Sequence, residues 1–307
     1  NTPDAMALLP DGSFVLSVPN YNDPTPGGVI MKISARNKVS KFFVPPPHPA
    51  TGKAAPMGIC PAPSGDLYYA DNQFSPETPQ HSRVMRIVVK DGKPQKAVTV
   101  VSGLNVANAV AIKGDYIYVS ETIMVPGSDP LISGIFRFKM GEEGIKLKTP
   151  LESDPHLIAE IKSFKAAVGY GADGLCFDSK GNLYCGNFAD GTIHKITFDA
   201  RGEVASNEIW VKSPKMKCAD GLCCDQKTDR ILVGDMVQNA IQMIHPDGTV
   251  ETIAINGDTD GADGGIDQPC EAIFRGNEVI ISNMDLSLIH ISEPTRPLYI
   301  SYAVFCL

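Results

Sequence analysis

Short apolar runs alternate with polar turns along the chain, and the runs come in pairs. Residues 171–187 read GADGLCFDSKGNLYCGN, in which an acidic residue and glycine precede an apolar run, a polar turn and a second apolar run. The pattern recurs in residues 218–235 as CADGLCCDQKTDRILVGD. Alternation of this kind, bounded by turn-forming residues, predicts two strands joined by a tight turn. The acidic residue is placed at the start of the first strand.

The strand–turn–strand pattern occurs six times, in residues 3–18, 56–72, 107–121, 171–187, 219–235 and 269–285. Each of the first five copies is followed by two further apolar runs, and no segment has a helical period over a helical length. Repeats of about 40–50 residues with four strands each are typical of a β-propeller. The sequence therefore predicts an all-β, six-bladed β-propeller with four antiparallel strands per blade and an incomplete last blade. A solenoid of sheets is the structural alternative.

One position recurs at the start of the first strand of every copy: Asp4, Met57, Asn108, Asp173, Asp220 and Cys270. The innermost strand of a propeller blade lines the central channel and the second strand returns antiparallel to it. The start of the first strand and the end of the second therefore share a face, which holds the strand ends Asp71, Glu121, Asn187, Asp235 and Asn283. We predict that this face is functional, with Glu121 and Asn187 as substrate-binding residues. The insertions 20–27, 72–82 and 122–134 follow second strands and predict loops over the same face.

Four of these first positions carry oxygen donors, namely Asp4, Asn108, Asp173 and Asp220. Carboxylate and amide oxygens are the ligands of hard cations. We expect one divalent cation at the channel mouth, Ca²⁺ before Mg²⁺, Mn²⁺ or Zn²⁺. The alternative is that Asp-Gly and Asn form turns there. Met57 and Cys270 at the same position argue against a turn requirement, and Glu271 could supply a further oxygen.

Composition excludes several classes of function. The net charge is −8 and the pI about 5.3, without a Lys/Arg cluster, which argues against binding of nucleic acid. No apolar run approaches the length of a membrane span. We expect a monomer that binds a small molecule. The eight cysteines have no zinc-site spacing and predict buried free thiols, with a Cys218–Cys270 disulfide as the alternative, so the compartment stays open.

The last 22 residues differ from the repeats. LSLIHISEPTR (286–296) and ISYAVFCL (300–307) resemble the translation of a sequencing adapter. We therefore expect the propeller to occupy residues 1–285, truncated at both ends, and residues 286–307 to be a non-native tail. A genuine C-terminal strand pair is the alternative. With two strands missing from the last blade, we expect either an open ring or a tail placed along the vacant edge as strands.

Residues 172–196 (ADGLCFDSKGNLYCGNFADGTIHKI) and 219–235 (ADGLCCDQKTDRILVGD) resemble the senescence-marker-protein, gluconolactonase and luciferin-regenerating-enzyme family, which is regucalcin-like. The resemblance implies a six-bladed propeller, lactonase or related hydrolase activity, and a divalent metal at the channel mouth held by Glu, Asn and Asp. Asp220 and Asn108 match the family's Asp and Asn. The chain departs from the family at Asp173, where the family has Asn, and at Asp4, where it has Glu. The third carboxylate implies a metal site of charge −1.

Together the residues and the resemblance predict a metal-dependent hydrolase of a lactone or ester. The metal would polarise the carbonyl as a Lewis acid, with Asp220 as the first candidate for general base, Asp173 as the second, and Asn108 orienting a substrate oxygen. Two alternatives stay open. The first is a propeller that binds a ligand or protein without catalysis and uses the metal as a structural staple. The second is a metal-free propeller similar to strictosidine synthase.

Overall fold

Short antiparallel strands make up nearly all regular structure in the computed structural model, which describes residues 2–21, 27–74, 79–257 and 265–284 and the backbone of 302–306. Blade one contains β1 (Met6–Leu8), β2 (Phe14–Val18), β3 (Val29–Ile33) and β4 (Val39–Phe43). Blade two contains β5 (Pro56–Pro61), β6 (Leu67–Asp71), β7 (Ser82–Lys90) and β8 (Lys93–Leu104). Blade three contains β9 (Ala107–Lys113), β10 (Tyr116–Val125), β11 (Leu131–Lys139) and β13 (Leu157–Ser163).

The second half of the chain continues the series. Blade four contains β14 (Ala172–Phe177), β15 (Leu183–Asn187), β16 (Thr192–Phe198) and β17 (Val204–Lys212). Blade five contains β18 (Leu222–Cys224), β19 (Ile231–Asp235), β20 (Ala240–Ile244) and β21 (Val250–Ile255). The sixth sheet contains β22 (Pro269–Arg275), β23 (Glu278–Asn283) and β24 (Tyr302–Cys306). The predicted β-propeller is therefore confirmed, with five complete blades and an incomplete sixth sheet.

The inner strands β1, β5, β9, β14, β18 and β22 are each in contact with the next, and β22 is in contact with β1. A shared apolar cluster joins blade one to the sixth sheet, since Phe14 and Leu16 pack with Ile273 and Ile280. The backbone amide of Met6 also donates to the Glu271 carboxylate. The ring is thus closed through its inner strands, so the expectation of an open ring was wrong.

The hydrophobic core lies between neighbouring blades. One cluster joins blades two and three, another joins three and four, and a third joins four and five. The middle strands β2, β6, β15, β19 and β20 are buried along their whole length because a blade covers each of their faces. Burial on both faces explains why these strands read as continuous apolar runs.

Two features depart from a simple repeat. The segment predicted as a loop at 122–134 extends the hairpin instead, since β10 runs to Val125, which pairs with Ile132 across a bulge. A two-residue strand, β12 (Ile145–Lys146), leaves blade three and pairs in parallel with β8 at the outer edge of blade two. The insertions 20–27 and 72–82 lie partly outside the described residues.

The edge of the sixth sheet is occupied by β24, which pairs antiparallel with β23 from Glu278 opposite Cys306 to Ser282 opposite Tyr302. This is the expected position for a tail strand. Residues 285–301 lie outside the described residues, and the adapter origin of the tail stays a prediction.

Helical structure in the described part of the chain is confined to three single 3-10 turns: Leu151–Ser153, Ala166–Val168 and Met236–Gln238. Accordingly, the described residues contain no helix of the length and apolar character needed to cross a membrane.

Candidate functional site at the channel mouth

Neighbouring inner strands approach each other most closely at glycines that directly follow the recurring first position. A Cβ on Gly174 would lie 2.4 Å from the carbonyl oxygen of Asp220, and one on Gly221 would lie 2.7 Å from that of Cys270. The amide of Gly174 donates to the Asp220 carbonyl at 3.2 Å, and the amide of Gly221 donates to the Cys270 carbonyl at 2.8 Å. Asp173 and Gly174 lie within β14, so this Asp-Gly pair does not form a turn. The glycines serve close backbone approach between blades.

The first positions other than Cys270 line one cavity. Its volume is about 440 Å³, and its lining includes Asp4, Met57, Asn108, Asp173 and Asp220. Bulges between the first and second strands interrupt the regular register at this level in blades two, four and six. The carboxylates are buried, with 5%, 6% and 8% of Asp4, Asp173 and Asp220 exposed. Four side chains from four blades thus meet at one end of the channel.

Negative charge dominates this end of the channel. The described residues that line the cavity and the channel below it include four acids, Asp4, Asp173, Asp220 and Glu271, but no Lys, Arg or His. Burial raises the pKa of Asp4 to about 7, against the lowering effect of a hydrogen bond with Cys270. Such a group of acids requires either bound protons or a cation.

The other two aspartates are perturbed in the same direction. Burial and then the charge of Asp4 raise the pKa of Asp173 well above its usual value, whereas a hydrogen bond with Asn108 lowers it. Burial and then the charge of Asp173 raise the pKa of Asp220. The charges of Asp4 and Glu271 act on Asp220 in the same sense. These groups interact electrostatically, as expected of acids that share one site.

A divalent cation is compatible with the chemistry of this donor set. All four candidate ligands offer oxygen, which suits Ca²⁺ and Mg²⁺. The described residues that line the cavity include no positively charged side chain. Within the described residues, however, no three or more His, Cys, Asp or Glu side chains are arranged as a ready-formed metal site. The cation therefore stays a prediction that rests on donor chemistry and on burial of negative charge.

Glu121 is not part of this group, contrary to the prediction that it binds substrate. The side chain is fully buried, and its carboxylate accepts hydrogen bonds from the amides of Asn105 and Val106 at 2.7 Å and of Ile123 at 3.2 Å. These contacts tie the middle of β10 to the segment that leads into β9 of the same blade. Glu121 therefore holds the backbone and does not face the cavity.

Asn187 is likewise fully buried and outside the cavity lining. Its amide oxygen accepts from the Ser163 hydroxyl at 3.0 Å, and its nitrogen donates to the Lys162 carbonyl at 3.1 Å. Asp71, Asp235 and Asn283, at the same position in other blades, accept from the amides of Ala55, Cys218 and Asp267. The side chains at the ends of the second strands thus hold neighbouring backbone segments together by hydrogen bonds, and we call these residues staples.

The cavity wall comes from the residue one step further along the chain. Asn72, Phe188, Met236 and Met284 directly follow those strand ends, and all four line the cavity. The four residues lie just beyond the second strands, where Met236 begins a 3-10 turn, and their side chains line the cavity whereas those of the strand ends do not. The sequence carried this signal, since the same offset recurs in four blades.

The rest of the wall is largely apolar, with Tyr21, Phe74, Val106 and Tyr170. The rings of Tyr170 and Phe188 meet edge to face, with their centroids 5.8 Å apart. The Tyr21 hydroxyl donates to the Met57 sulfur at 3.0 Å. These wall residues were not predicted from the sequence.

Cysteines line a second cavity, at the opposite end of the channel. Its volume is about 440 Å³, and it contains Cys60, Cys176, Cys223 and Cys224. All seven cysteines whose side chains are described are free thiols. The prediction of buried free thiols is therefore confirmed for four of them, whereas Cys60, Cys223 and Cys224 are free but only partly buried. The alternative Cys218–Cys270 disulfide is not formed.

No family model and no curated protein matches the sequence. The structure is similar to gluconolactonase XC5397 from Xanthomonas campestris, with a TM-score of 0.61 and 12% identity over 92% of this chain and 83% of that one. It is also similar to luciferin-regenerating enzyme, with a TM-score of 0.59 and 12% identity over 95% and 87% of the two chains. Aldose sugar dehydrogenase from Escherichia coli has a TM-score of 0.60 and 13% identity over 93% and 94%.

These proteins differ in the reactions that their names describe, and identities of 12–13% establish a common fold only. The family resemblance of the repeated motifs is therefore confirmed at the level of the fold. The chain has the β-propeller fold shared by gluconolactonases and luciferin-regenerating enzyme.

Proposed function

We propose that the chain is a hydrolase of a lactone or ester, with its active site in the cavity at the channel mouth. The observation that carries the proposal is the convergence of three buried carboxylates and one amide, from four blades, on the floor of one cavity. Buried acids with raised pKa values in a concave site are typical of catalytic centres. The structural likeness to a gluconolactonase agrees with this choice.

Asp4, Asn108, Asp173 and Asp220 would hold one divalent cation, with Ca²⁺ preferred because all donors are hard oxygens. When bound, the cation supplies Lewis-acid polarisation of the scissile carbonyl. Such an ion would also offset the charge of three acids that have no positive side chain beside them among the described lining residues.

Asp220 would act as the general base, receiving a proton on a carboxylate oxygen from the attacking water. It lines both the upper cavity and the channel below, so its carboxyl group can be reached from the substrate side. Burial and then the charges of neighbouring acids raise its pKa when no cation is bound, and such a perturbed carboxyl group is typical of catalytic acids and bases. Asp173 is the second candidate. Asn108, which hydrogen-bonds Asp173, would orient a substrate oxygen.

The proposal is tested by measuring hydrolysis of a lactone and ester panel before and after chelation, and again after adding back Ca²⁺, Mg²⁺, Mn²⁺ or Zn²⁺. We expect Asp220→Ala to lower kcat/KM by roughly 10²- to 10⁴-fold. Asp247→Asn is the matched control, because Asp247 is an exposed aspartate of the same blade. Parental activity in Asp220→Ala would remove Asp220 from the mechanism.

The same experiment separates the alternatives. One bound cation per chain without turnover of any substrate would favour a binding propeller with a structural metal. Absence of any bound cation in the purified and reloaded protein would favour the metal-free propeller. Hydrolysis that is lost with chelator and restored by a cation would support the proposal.

A further inference from the structure

The wall above the acidic floor is unsuited to a substrate with many hydroxyl groups. Its described residues include Val106, Phe188, Met236 and Met284, which present carbon or sulfur, and Tyr170, which adds an aromatic ring with one hydroxyl. A sugar lactone would bury several hydroxyls there, and each buried hydroxyl without a partner is costly.

Two of the polar groups in the described part of this wall have partners within the protein. The Asn72 side-chain oxygen accepts from the amide of Phe74 at 2.9 Å, and the Tyr21 hydroxyl donates to the Met57 sulfur. A site that recognises hydroxyls needs polar groups directed at them. Such a site rejects a substrate without hydroxyls because its own polar groups would then lack partners.

An apolar substituent fits the same surface. Methionine side chains adapt to irregular shapes, and the edge-to-face pair of Tyr170 and Phe188 provides a flat aromatic surface. The volume of about 440 Å³ accommodates a six-membered ring with a short side chain. We therefore propose that the site selects lactones or esters that carry an alkyl or aryl substituent over polyhydroxylated sugar lactones. This inference rests on the proposed hydrolase function and names its substrate class.

Three lactones with the same six-membered ring provide the test: δ-valerolactone, δ-nonalactone, which adds a butyl chain, and glucono-δ-lactone, which adds hydroxyls. The cation-loaded full chain is assayed with each, and kcat/KM is divided by the rate of hydroxide hydrolysis of the same lactone. Each methylene that leaves water contributes about fourfold. We expect δ-nonalactone to exceed δ-valerolactone by at least tenfold and glucono-δ-lactone to fall below both. A preference for glucono-δ-lactone would overturn the inference and leave the hydrolase proposal intact.

Two variants test whether the cavity wall is responsible for this selectivity. Tyr170→Ser removes an aromatic side chain that is 48% exposed in the structure and therefore tolerant of substitution. It should lower the ratio of δ-nonalactone to δ-valerolactone activity about fivefold. Phe164→Ser removes an aromatic residue that is 70% exposed and does not line the cavity, so the ratio should not change. Equal ratios in the two variants would overturn the role of this wall.

Binding of hydrolysis-resistant amide analogues tests the inference even if the protein hydrolyses none of the lactones. Calorimetry with δ-nonalactam and δ-valerolactam measures the contribution of the butyl chain without any reaction. A Kd at least tenfold lower for δ-nonalactam would support the apolar site even if the hydrolase proposal failed. Equal Kd values would overturn the inference.

Discussion

The backbone amide of Gly174 donates a hydrogen bond to the carbonyl oxygen of Asp220, with 3.2 Å between nitrogen and oxygen. This bond joins blade four to blade five directly beside the two carboxylates of Asp173 and Asp220. The spacing of the acids is therefore set by backbone contact between blades, which only glycine permits at this position.

Gly174→Ala should separate the two inner strands, because the new Cβ would lie 2.4 Å from the Asp220 carbonyl oxygen. We expect a loss of about 1–3 kcal/mol in the free energy of unfolding, measured by urea denaturation. Gly257→Ala is the control, since a Cβ there has no neighbour within 4 Å and its φ is not left-handed. Equal stability of the two variants would contradict the close approach.

Asp173→Asn should retain binding of one cation per chain. The amide keeps an oxygen donor and removes one of three negative charges, so affinity should fall by roughly 10- to 100-fold without a change in stoichiometry. Calorimetric titration with Ca²⁺ measures both quantities. Complete loss of binding would show that the assignment of equivalent positions around the ring is wrong.

Cation affinity should rise with pH. Burial raises the pKa of Asp4 to about 7, so a cation must displace a proton at lower pH. We expect displacement of this proton to raise the association constant by up to tenfold per pH unit between about pH 5 and 7, and less steeply above.

Without a bound cation, the free energy of unfolding should fall as pH rises. The folded state holds the proton of Asp4 up to about pH 7, whereas the unfolded chain releases it near 3.8. The stability of chelated protein should therefore fall as pH rises between these values. Urea denaturation with chelator, compared with the same series in Ca²⁺, measures this. A flat profile in chelator would contradict burial of the acid.

Glu121→Ala should lower stability without altering the active site. Three backbone amides lose their acceptor, which costs at least about 2 kcal/mol. Urea denaturation measures this cost, with Glu142→Ala as an exposed control expected within about 0.5 kcal/mol of the parent. Values of KM are then compared at a temperature where both variants are folded. Unchanged stability with a raised KM would restore Glu121 as a substrate-binding residue.

The sequence was sufficient for the strand pairs and for the ring of first positions. Both follow from local patterns, namely pairs of apolar runs separated by a polar turn and, in four of the six copies, an acidic or amide residue at the start of the first run. All six predicted pairs, from β1–β2 to β22–β23, are present in the structure.

What escaped prediction depends on contacts between distant segments. The pairing of Ile145 with Val101 joins strands of different blades, and no local pattern encodes it. Glu121 and Asn187 were placed on the correct face, but their side chains turn toward the backbone. A one-residue offset decides this orientation. The offset recurs in the sequence, but the sequence does not show which of the two residues faces the cavity.

The one-residue offset between the staple residues and the residues of the cavity wall affects how this protein can change by mutation. Asn187 and Phe188 are adjacent in the chain, yet Asn187 holds neighbouring blades together and Phe188 lines the cavity at the channel mouth. The same division recurs at Asp235 with Met236 and at Asn283 with Met284. Mutations can therefore accumulate in the wall one blade at a time while the scaffold remains under separate selection. Such a ring can acquire a new substrate range through single-residue steps, each compatible with a folded protein.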